Sequence, residues 1–489
     1  VNLIDHGYSL APGQRYVVID ASDGQNTDYN ESRLHYNTTA RDVRVGGQSV
    51  FNDGHKLLVL NLAEPLQDNS GNEPNLPPEN NGGTTTPPDT TTPPVSGNTG
   101  SGTPPNVVRN PVATRANAVS SMTGLQNYTG IADAALLYLY NASLAIGSKA
   151  EANKAGEQLS PVINTGAGQA ASTATFDMLN VIGARMDAVR LAQAYGQSES
   201  GIATGDGMAD SSVWGQLFGG RARQSTTSEM SGYKANYGGF VLGADHDITD
   251  AWRLGGAVSY TATNVDGRNY LGGTDADVNA WGLTAYANYQ AESWYTSLYA
   301  TAVTQRYSTQ RSVAFTGYTG SANGKFNGQQ YALKAEAGLP LALTKSVTFT
   351  PLANLSYSYL NQEGYTESNG NGAALKVDAA HSDTIKSGLG AKLQTVTQTP
   401  LGQVAPYVQA MWYHQYDAKA MNVSAAYAAA TDETGFTSRG MTPEKDSVGG
   451  RAGVTLVSSG TRSVDAYYDI TAAPHYTNQS ISLQFKQQF

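Results

Sequence analysis

Histidine is the residue type best suited to act as a catalytic base or a metal ligand, and the chain has seven. They are scattered along the chain, without the i, i+4 spacing of a helical zinc site, at His6, His35, His55, His246, His381, His414 and His475. An acid–base protease remains open only through Asp245 with His246 or His414. Neighbours on a strand point to opposite faces, which argues against that pairing. Because Gly-x-Ser-x-Gly and phosphate-loop motifs are also absent from the sequence, we predict no enzyme, no metal site and no cofactor.

Other charged residues alternate with apolar ones over long stretches. One run places Tyr331, Leu333, Ala335, Ala337 and Leu339 on one face. A second run places Val448, Ala452, Val454 and Leu456 together. The opposite face then carries both signs of charge, at Asp245, Arg253, Lys334, Glu336, Lys386, Lys392, Arg451, Asp465 and Asp469. A surface of this kind suits a polar lumen rather than a packed core.

This two-residue period extends over the second half of the chain. Twelve runs follow it, near the 9 to 11 residues that a tilted strand needs to cross a bilayer. They are Val213 to Arg223, Tyr237 to His246, Trp252 to Ala262, Val278 to Gln290, Trp294 to Tyr307, Gln329 to Leu343, Val347 to Gln362, Thr384 to Thr397, Val404 to Tyr416, Ser447 to Ser458, Ser463 to Thr471 and Ser480 to Phe489. We therefore predict an all-β membrane protein, a twelve-stranded antiparallel barrel over residues 211–489.

Composition is compatible with this fold and excludes other classes. Mean hydropathy is negative, and the best helical candidate, Ile131 to Ile146, is interrupted by Asp133 and Asn141, so no transmembrane helix is predicted. A barrel escapes such scans because only alternate residues face lipid. Cysteine is absent, and the net charge of −10 argues against nucleic acid as a partner. The alternative is a soluble β-sandwich with one solvated face, although twelve long regular strands in one domain would be unusual.

A helical segment precedes the predicted barrel. Residues 112–210 include a stretch, 175–195, in which apolar residues recur at three- and four-residue steps: Phe176, Leu179, Ile182, Met186 and Val189. About 20 residues at 1.5 Å each give a helix of roughly 30 Å, the thickness of a hydrocarbon core. Such a helix is long enough to thread the barrel.

Two further segments come before the helices. Residues 1–64 contain short strand runs and read as the end of a β-solenoid passenger, or alternatively as a small independent β domain. Residues 65–111 are rich in Pro, Thr, Asn and Gly and cannot build a core, so they are predicted to be a linker. No signal peptide is recognisable, and we interpret the chain as a fragment or a processed product.

Several of these motifs resemble one known family. Val213-Trp214-Gly215-Gln216-Leu217-Phe218-Gly219-Gly220-Arg221, Leu242-Gly243-Ala244-Asp245 and Leu254-Gly255-Gly256-Ala257 resemble the opening hairpins of the bacterial autotransporter β-domain. The chain end, Ile481 to Phe489, is similar to that family's last strand. The phrases Glu157-Gln158-Leu159-Ser160-Pro161 and Arg185-Met186-Asp187-Ala188-Val189-Arg190 are similar to its helical segment. The resemblance covers roughly Ala155 to Phe489.

The resemblance implies a fold and a function. It implies a twelve-stranded barrel with an α-helix through the lumen, in the bacterial outer membrane, that exports its own passenger to the cell surface. Implied partners are outer-membrane lipid, the barrel-assembly machinery and periplasmic chaperones. The passenger is predicted to be adhesin-like, with an unknown ligand such as a host or neighbouring cell surface, and the protein to be a monomer. The alternative function is a diffusion channel or porin with an N-terminal appendage.

The resemblance also assigns roles to single residues. Phe489, with Phe485, Leu483 and Ile481 on the same face, resembles the signal for barrel insertion, or else Phe489 is only an interfacial girdle residue. Self-cleaving members place an Asn five residues before Arg-Met or Arg-Leu, as Asn180 stands to Arg185-Met186. Cleavage there would be assisted by Asp245 or Glu336; alternatively, Asn180 is simply a polar position on the helix. Arg185 and Arg190 are predicted to lie on the lumenal helix.

Overall fold

The computed structural model describes residues 1–4, 10–65, 113–196, 211–400, 402–458 and 462–488, in two compact units. The linker predicted at 65–111 lies almost wholly outside the described residues. In the described part of the chain, no helix combines the length and hydropathy needed to cross a membrane. The two units are described separately below.

The N-terminal unit is a three-stranded antiparallel sheet. Strands Arg15–Ala21, Arg44–Asn52 and His55–Ala63 pair with the last of these in the centre. Asp53 and Gly54 both have positive φ, so this Asp-Gly pair makes the tight turn between the second and third strands. Within the described part of this unit, parallel pairing of the kind that a solenoid uses is limited to two residues, Asn2–Leu3 with Asn37–Thr38. The solenoid end therefore stays a prediction.

The second unit contains the predicted barrel. Its twelve strands are Ser211–Gln224, Tyr233–Asp247, Trp252–Gly267, Asp275–Gln290, Tyr295–Phe315, Tyr318–Gly338, Val347–Gln362, Ala380–Thr395, Gly402–Gln415, Asp446–Ser458, Arg462–Ala473 and Tyr476–Gln488. Each strand pairs antiparallel with the next, and the twelfth pairs with the first, so the sheet is closed. Closure satisfies the backbone of every strand without an edge, which is what a hydrocarbon environment requires.

Side chains along the barrel strands alternate between buried and exposed positions. Along Asp275–Gln290, for example, buried and exposed side chains alternate almost without interruption. Lys334 and Glu336 face the lumen, while Tyr331 and Leu333 face outward and are exposed. The outward side chains are the surface that lipid would cover.

The central hairpin of the barrel is longer than the sequence predicted. We expected strands to end at Tyr307 and to resume at Gln329, but they continue to Phe315 and resume at Tyr318, with full pairing between them. This extension is rich in Gly, Ser, Asn and Thr, so its apolar alternation is weak. It is stabilised by packing against helices rather than by lipid. The sixth strand also ends at Gly338, earlier than the predicted Leu343.

Among the described residues, four α-helices precede the first barrel strand: α1 (Ala116–Gln126), α2 (Ala134–Leu144), α3 (Lys149–Leu159) and α4 (Ile163–Gly196). The Asp133 side chain caps α2, and Ser148 caps α3 in a Ser-x-x-Glu pattern with Glu151. Pro161 lies between α3 and α4, where it cannot continue α3. At 34 residues, α4 is longer than the predicted helix 175–195 and spans about 50 Å.

Helices α1 to α3 cover one end of the barrel together with loop strands. Four short strands, Tyr365–Thr366, Leu375–Val377, Asn422–Tyr427 and Phe436–Arg439, form a separate sheet from the two longest connections. Their buried apolar residues share one cluster with α1 to α3 and with Val313 and Phe315 of the extended hairpin. We call these helices and this sheet the mouth cap. In barrels of this class the long connections face the cell exterior, so the mouth cap lies on the outer side.

Candidate functional site

The lumen is the candidate site, and α4 occupies it. Its residues from Ile163 to Val189 share one buried cluster with inward residues of the barrel such as Trp214, Tyr237 and Tyr299. The predicted apolar face is buried, with Leu179, Ile182, Met186 and Val189 almost inaccessible and Phe176 partly buried. Burial is not limited to that face, because the barrel surrounds the helix: Met178, Val181 and Ala184 are buried as well.

Asp245 ties the inner half of α4 to the wall. Arg185 of the helix is fully buried, and its Nη2 lies 2.9 Å from Asp245 Oδ1. Arg253 forms a second ion pair with the same carboxylate. Ser212 Oγ and the Tyr286 hydroxyl donate to it at 2.5 and 3.0 Å. One carboxylate therefore joins the helix to the first four barrel strands.

A second polar contact holds the next turn of the helix. Lys392 Nζ lies 3.0 Å from Asp187 Oδ2, and Arg190 pairs with the same carboxylate. Arg190 Nη1 also donates to Asn288 Oδ1 at 2.7 Å, and its guanidinium stacks 3.5 Å from the centre of the Tyr295 ring. Because these partners come from the fourth, fifth and eighth barrel strands, more than one part of the wall fixes this turn.

The outer half of α4 lies beside an open space. A cavity of about 240 Å³ separates the helix from the wall and is lined by polar side chains, among them Gln169, Thr173, Asp177, Ser356 and Lys386. Asn180 and Lys334 line the end of the cavity that lies deepest in the lumen. The lumen is thus tightly packed on its inner side and wider on its outer side.

Asn180 lies at the inner end of this cavity. Lys334 Nζ donates to Asn180 Oδ1 at 2.9 Å and also pairs with Glu336 Oε2 at 3.3 Å. Glu336, one of the two acids predicted to assist cleavage, is therefore linked to Asn180 through the side chain of Lys334. Asp245 instead contacts Arg185 and Arg253. The helix is continuous through Asn180.

The remaining charged residues also face inward as predicted. Arg451 donates to Asp469 at 2.5 and 2.8 Å, and Asp465 is buried beside Thr455. By contrast, His246 lies on the exposed side and contacts Ser211, while Asp245 is buried. The pairing of Asp245 with His246 is thus absent. In the described part of the chain, no group of three His, Asp or Glu side chains could hold a metal ion.

The last strand presents the predicted apolar face to lipid. Ile481, Leu483 and Phe485 are 65, 54 and 57 % exposed on the outer surface. Phe489 lies outside the described residues. The insertion signal therefore stays a prediction.

Sequence reasoning missed the polar contacts that hold the mouth cap. Arg311 of the extended hairpin pairs with Glu367 at 2.5 Å, both about 1 % exposed, and donates to the Gln158 carbonyl at the end of α3. Arg115 lies 2.8 Å from Glu157 and donates to the carbonyls of the 225–232 loop. These partners are far apart in sequence, and Arg311 lies beyond Tyr307, where the predicted strand ended, so the sequence analysis gave no signal for the first pair.

Comparison with known proteins identifies the barrel. The profile of the "Autotransporter beta-domain" matches residues 213–469, more than half of the chain. The chain belongs to the autotransporter β-domain family. The match covers strands one to eleven and confirms the family assignment. The autotransporter barrel is an outer-membrane translocator domain, as predicted.

Individual relatives of this autotransporter are much longer. The chain is 29 % identical to an extracellular serine protease of Serratia marcescens over 46 % of its own length and 21 % of the relative. It is 28 % identical to outer membrane protein A of Rickettsia rickettsii over 44 % of its length and 10 % of the relative. The chain therefore spans about a fifth or less of these proteins.

Two solved translocator structures are among those that match this chain. The translocator domain of NalP from Neisseria meningitidis covers 66 % of the chain and is matched over its full length, at 14 % identity and a TM-score of 0.49. The β domain of the Bordetella autotransporter BrkA covers 57 % and is also fully matched, at 19 % identity and a TM-score of 0.44.

Proposed function

We propose that this translocator exports its own N-terminal β unit and displays it at the cell surface as an adhesin-like passenger, anchored through α4 for as long as that helix is intact. The observation that carries the proposal is α4. It runs through the lumen and joins the wall through the buried Arg185–Asp245 pair. A helix fixed in this way connects the outer side to the barrel and serves as the anchor of whatever precedes it.

Surface labelling of intact cells tests export. An epitope tag placed before Val1 should bind antibody on intact cells. Protease added to the intact cells should remove the tag and abolish that binding. The control is Leu283→Pro, which removes a ladder hydrogen bond in a central strand and should block barrel formation and labelling together. An inserted barrel whose tag is reached only after lysis would contradict the proposal.

Conductance separates the translocator from a porin. The helix and its polar contacts occupy the inner half of the lumen, so the intact barrel should pass little current in a planar bilayer. Deletion of residues 172–193 should raise single-channel conductance several-fold. A large conductance in the intact protein would favour the diffusion channel instead.

We further propose that Asn180 is a site of single-turnover self-cleavage. Its side-chain nitrogen would attack its own backbone carbonyl and form a cyclic imide as the bond to Val181 breaks, and the proton lost by that nitrogen would pass to the departing amine of Val181. Lys334, 2.9 Å from Asn180 Oδ1, would stabilise the negative charge that the side-chain amide gains when its nitrogen loses the proton. Mass spectrometry of wild type and Asn180→Ala tests this. A new N-terminus at Val181 that disappears in the mutant supports it, whereas one uncut species in both shows that α4 is only a tether.

We also propose that the last strand is recognised by the barrel-assembly machinery, delivered by periplasmic chaperones. Support comes from the outward row Ile481, Leu483 and Phe485, and Phe489 stands four residues after Phe485, at a position of the same alternation. Deletion of Phe489 should lower the amount of inserted barrel severalfold. An unchanged amount would contradict a signal at this residue.

A further inference from the structure

Three cationic side chains lie together on the outward face of the first two barrel strands. Arg221 and Arg223 are exposed at alternate positions of the first strand, and Lys234 is half-buried on the second. Arg223 and Lys234 are direct partners in the strand register. The Cβ atoms of such partners lie about 4.5 to 5.5 Å apart, so two positive charges face each other across the ladder.

This arrangement is unfavourable without an anion. Like charges directly opposite each other destabilise a sheet. Within the described part of the chain, neither Arg223 nor Lys234 makes a side-chain hydrogen bond or an ion pair, and Arg221 only donates to Asn236 at 3.2 Å. Asp266 is the other register partner of Lys234 but forms no ion pair with it.

The three cations lie at the height of lipid headgroups. Arg221 and Arg223 follow the lipid-facing Val213 by eight and ten residues. At about 3.3 Å per residue and a tilt near 40° this places them roughly 20 and 25 Å higher, against an apolar band of about 25 Å. The neighbouring strand agrees, because its uppermost large apolar residue, Ile481, pairs with Gly219, just below Arg221.

We propose that Arg221, Arg223 and Lys234 bind a phosphate group of an outer-leaflet lipid. An arginine guanidinium recognises phosphate through two parallel hydrogen bonds, and lysine adds a point charge. In a Gram-negative outer membrane the outer leaflet is built on lipid A, whose sugar phosphates lie directly above the acyl chains. One such phosphate would separate Arg223 from Lys234 and neutralise both, while the acyl chains cover Leu217 and Leu483.

Lipid binding to the purified full chain tests the proposal. The probes are diphosphorylated lipid A, the same lipid without phosphates, and inorganic phosphate, each titrated in detergent and counted by native mass spectrometry. The double variant Arg223→Gln/Lys234→Gln should bind diphosphorylated lipid A roughly 30-fold more weakly, since each cation near a charged surface contributes about fivefold. The matched control is Arg306→Gln/Lys325→Gln, which removes two outward cations from other strands and should bind like wild type.

The outcomes separate lipid from free anion. Loss of binding in the first variant alone, with no binding of the phosphate-free lipid at the same site, supports the proposal. Equal losses in both variants would show general attraction between charges and overturn it. Inorganic phosphate that competes fully with the lipid would overturn it as well, since the site would then recognise a free anion. Heat-dependent migration of each variant on a gel establishes that the barrel is folded.

Discussion

Asp245 is the residue on which the inner packing of the lumen depends. It is the only described carboxylate that contacts both Arg185 and Arg253, and all three are buried. Removal of one partner of a buried ion pair costs about 3 to 5 kcal/mol, because the remaining charge stays desolvated. Asp245→Asn should therefore lower the midpoint of thermal unfolding in detergent, whereas Asp266→Asn, on the exposed face, should leave it unchanged. Equal midpoints for all three proteins would contradict this role.

Glu151 makes one contact of the mouth cap sensitive to pH. Its carboxylate accepts a hydrogen bond from the Thr316 amide at 2.7 Å, and hydrogen bonding to Thr316, through its side chain and its backbone, lowers the pKa of Glu151 below the usual 4.5. A carboxyl whose pKa is lowered by folding stabilises the folded state above its unfolded pKa and loses that contribution as pH falls through the folded one. Hydrogen exchange of the Thr316 amide, corrected for intrinsic rates, should therefore accelerate below about pH 4 in wild type. In Glu151→Gln the exchange rate of the Thr316 amide should vary less with pH. Identical pH profiles of exchange in both proteins would contradict a role for the Glu151 carboxylate.

At the scale of elements, α1 and α3 depend on a glycine for their close approach. A Cβ on Gly156 would lie 2.5 Å from the backbone of Ala118, whereas one on Gly147 would meet nothing within 4 Å. Gly156→Val should separate α1 from α3 and expose the mouth cap to protease in intact cells, while the barrel stays folded. Gly147→Val is the matched control and should remain resistant. Protease resistance in both variants would show that the helices tolerate the separation.

The elements differ in how far the sequence predicts them. The barrel strands were predicted because alternate lipid-facing residues such as Leu333 and Leu483 leave a two-residue period in the sequence. The mouth cap was not predicted, because the residues that hold it together are distant in sequence. Arg311 and Glu367, for example, meet only after the hairpin and a distant loop have folded. The length of α4 was underestimated for a similar reason. Its first turns are Gly- and Ala-rich and carry no clear apolar period, yet they are buried by the surrounding wall.

At the scale of the whole molecule, the barrel should fold without the segments before it. Twelve strands close through the pairing of Tyr476–Gln488 with Ser211–Gln224, so no edge is left for detergent to enter. Residues 211–489 alone should fractionate with the outer membrane and migrate faster on an unheated gel than after boiling. A variant with proline at Leu283 provides the unfolded reference. Identical migration of heated and unheated samples would contradict independent closure.

The position of the mouth cap determines how the protein responds to mechanical force. Tension applied from the N-terminal side reaches Ala113 and Arg115 before it reaches α4. Arg115 is bonded to the 225–232 loop, and α3 is bonded to the extended hairpin through Arg311. Both contacts pass the load into the barrel wall, where many ladder hydrogen bonds share it. We therefore expect tension on the displayed segment to load the barrel strands first, and the helix in the lumen only after the contacts of the mouth cap have broken.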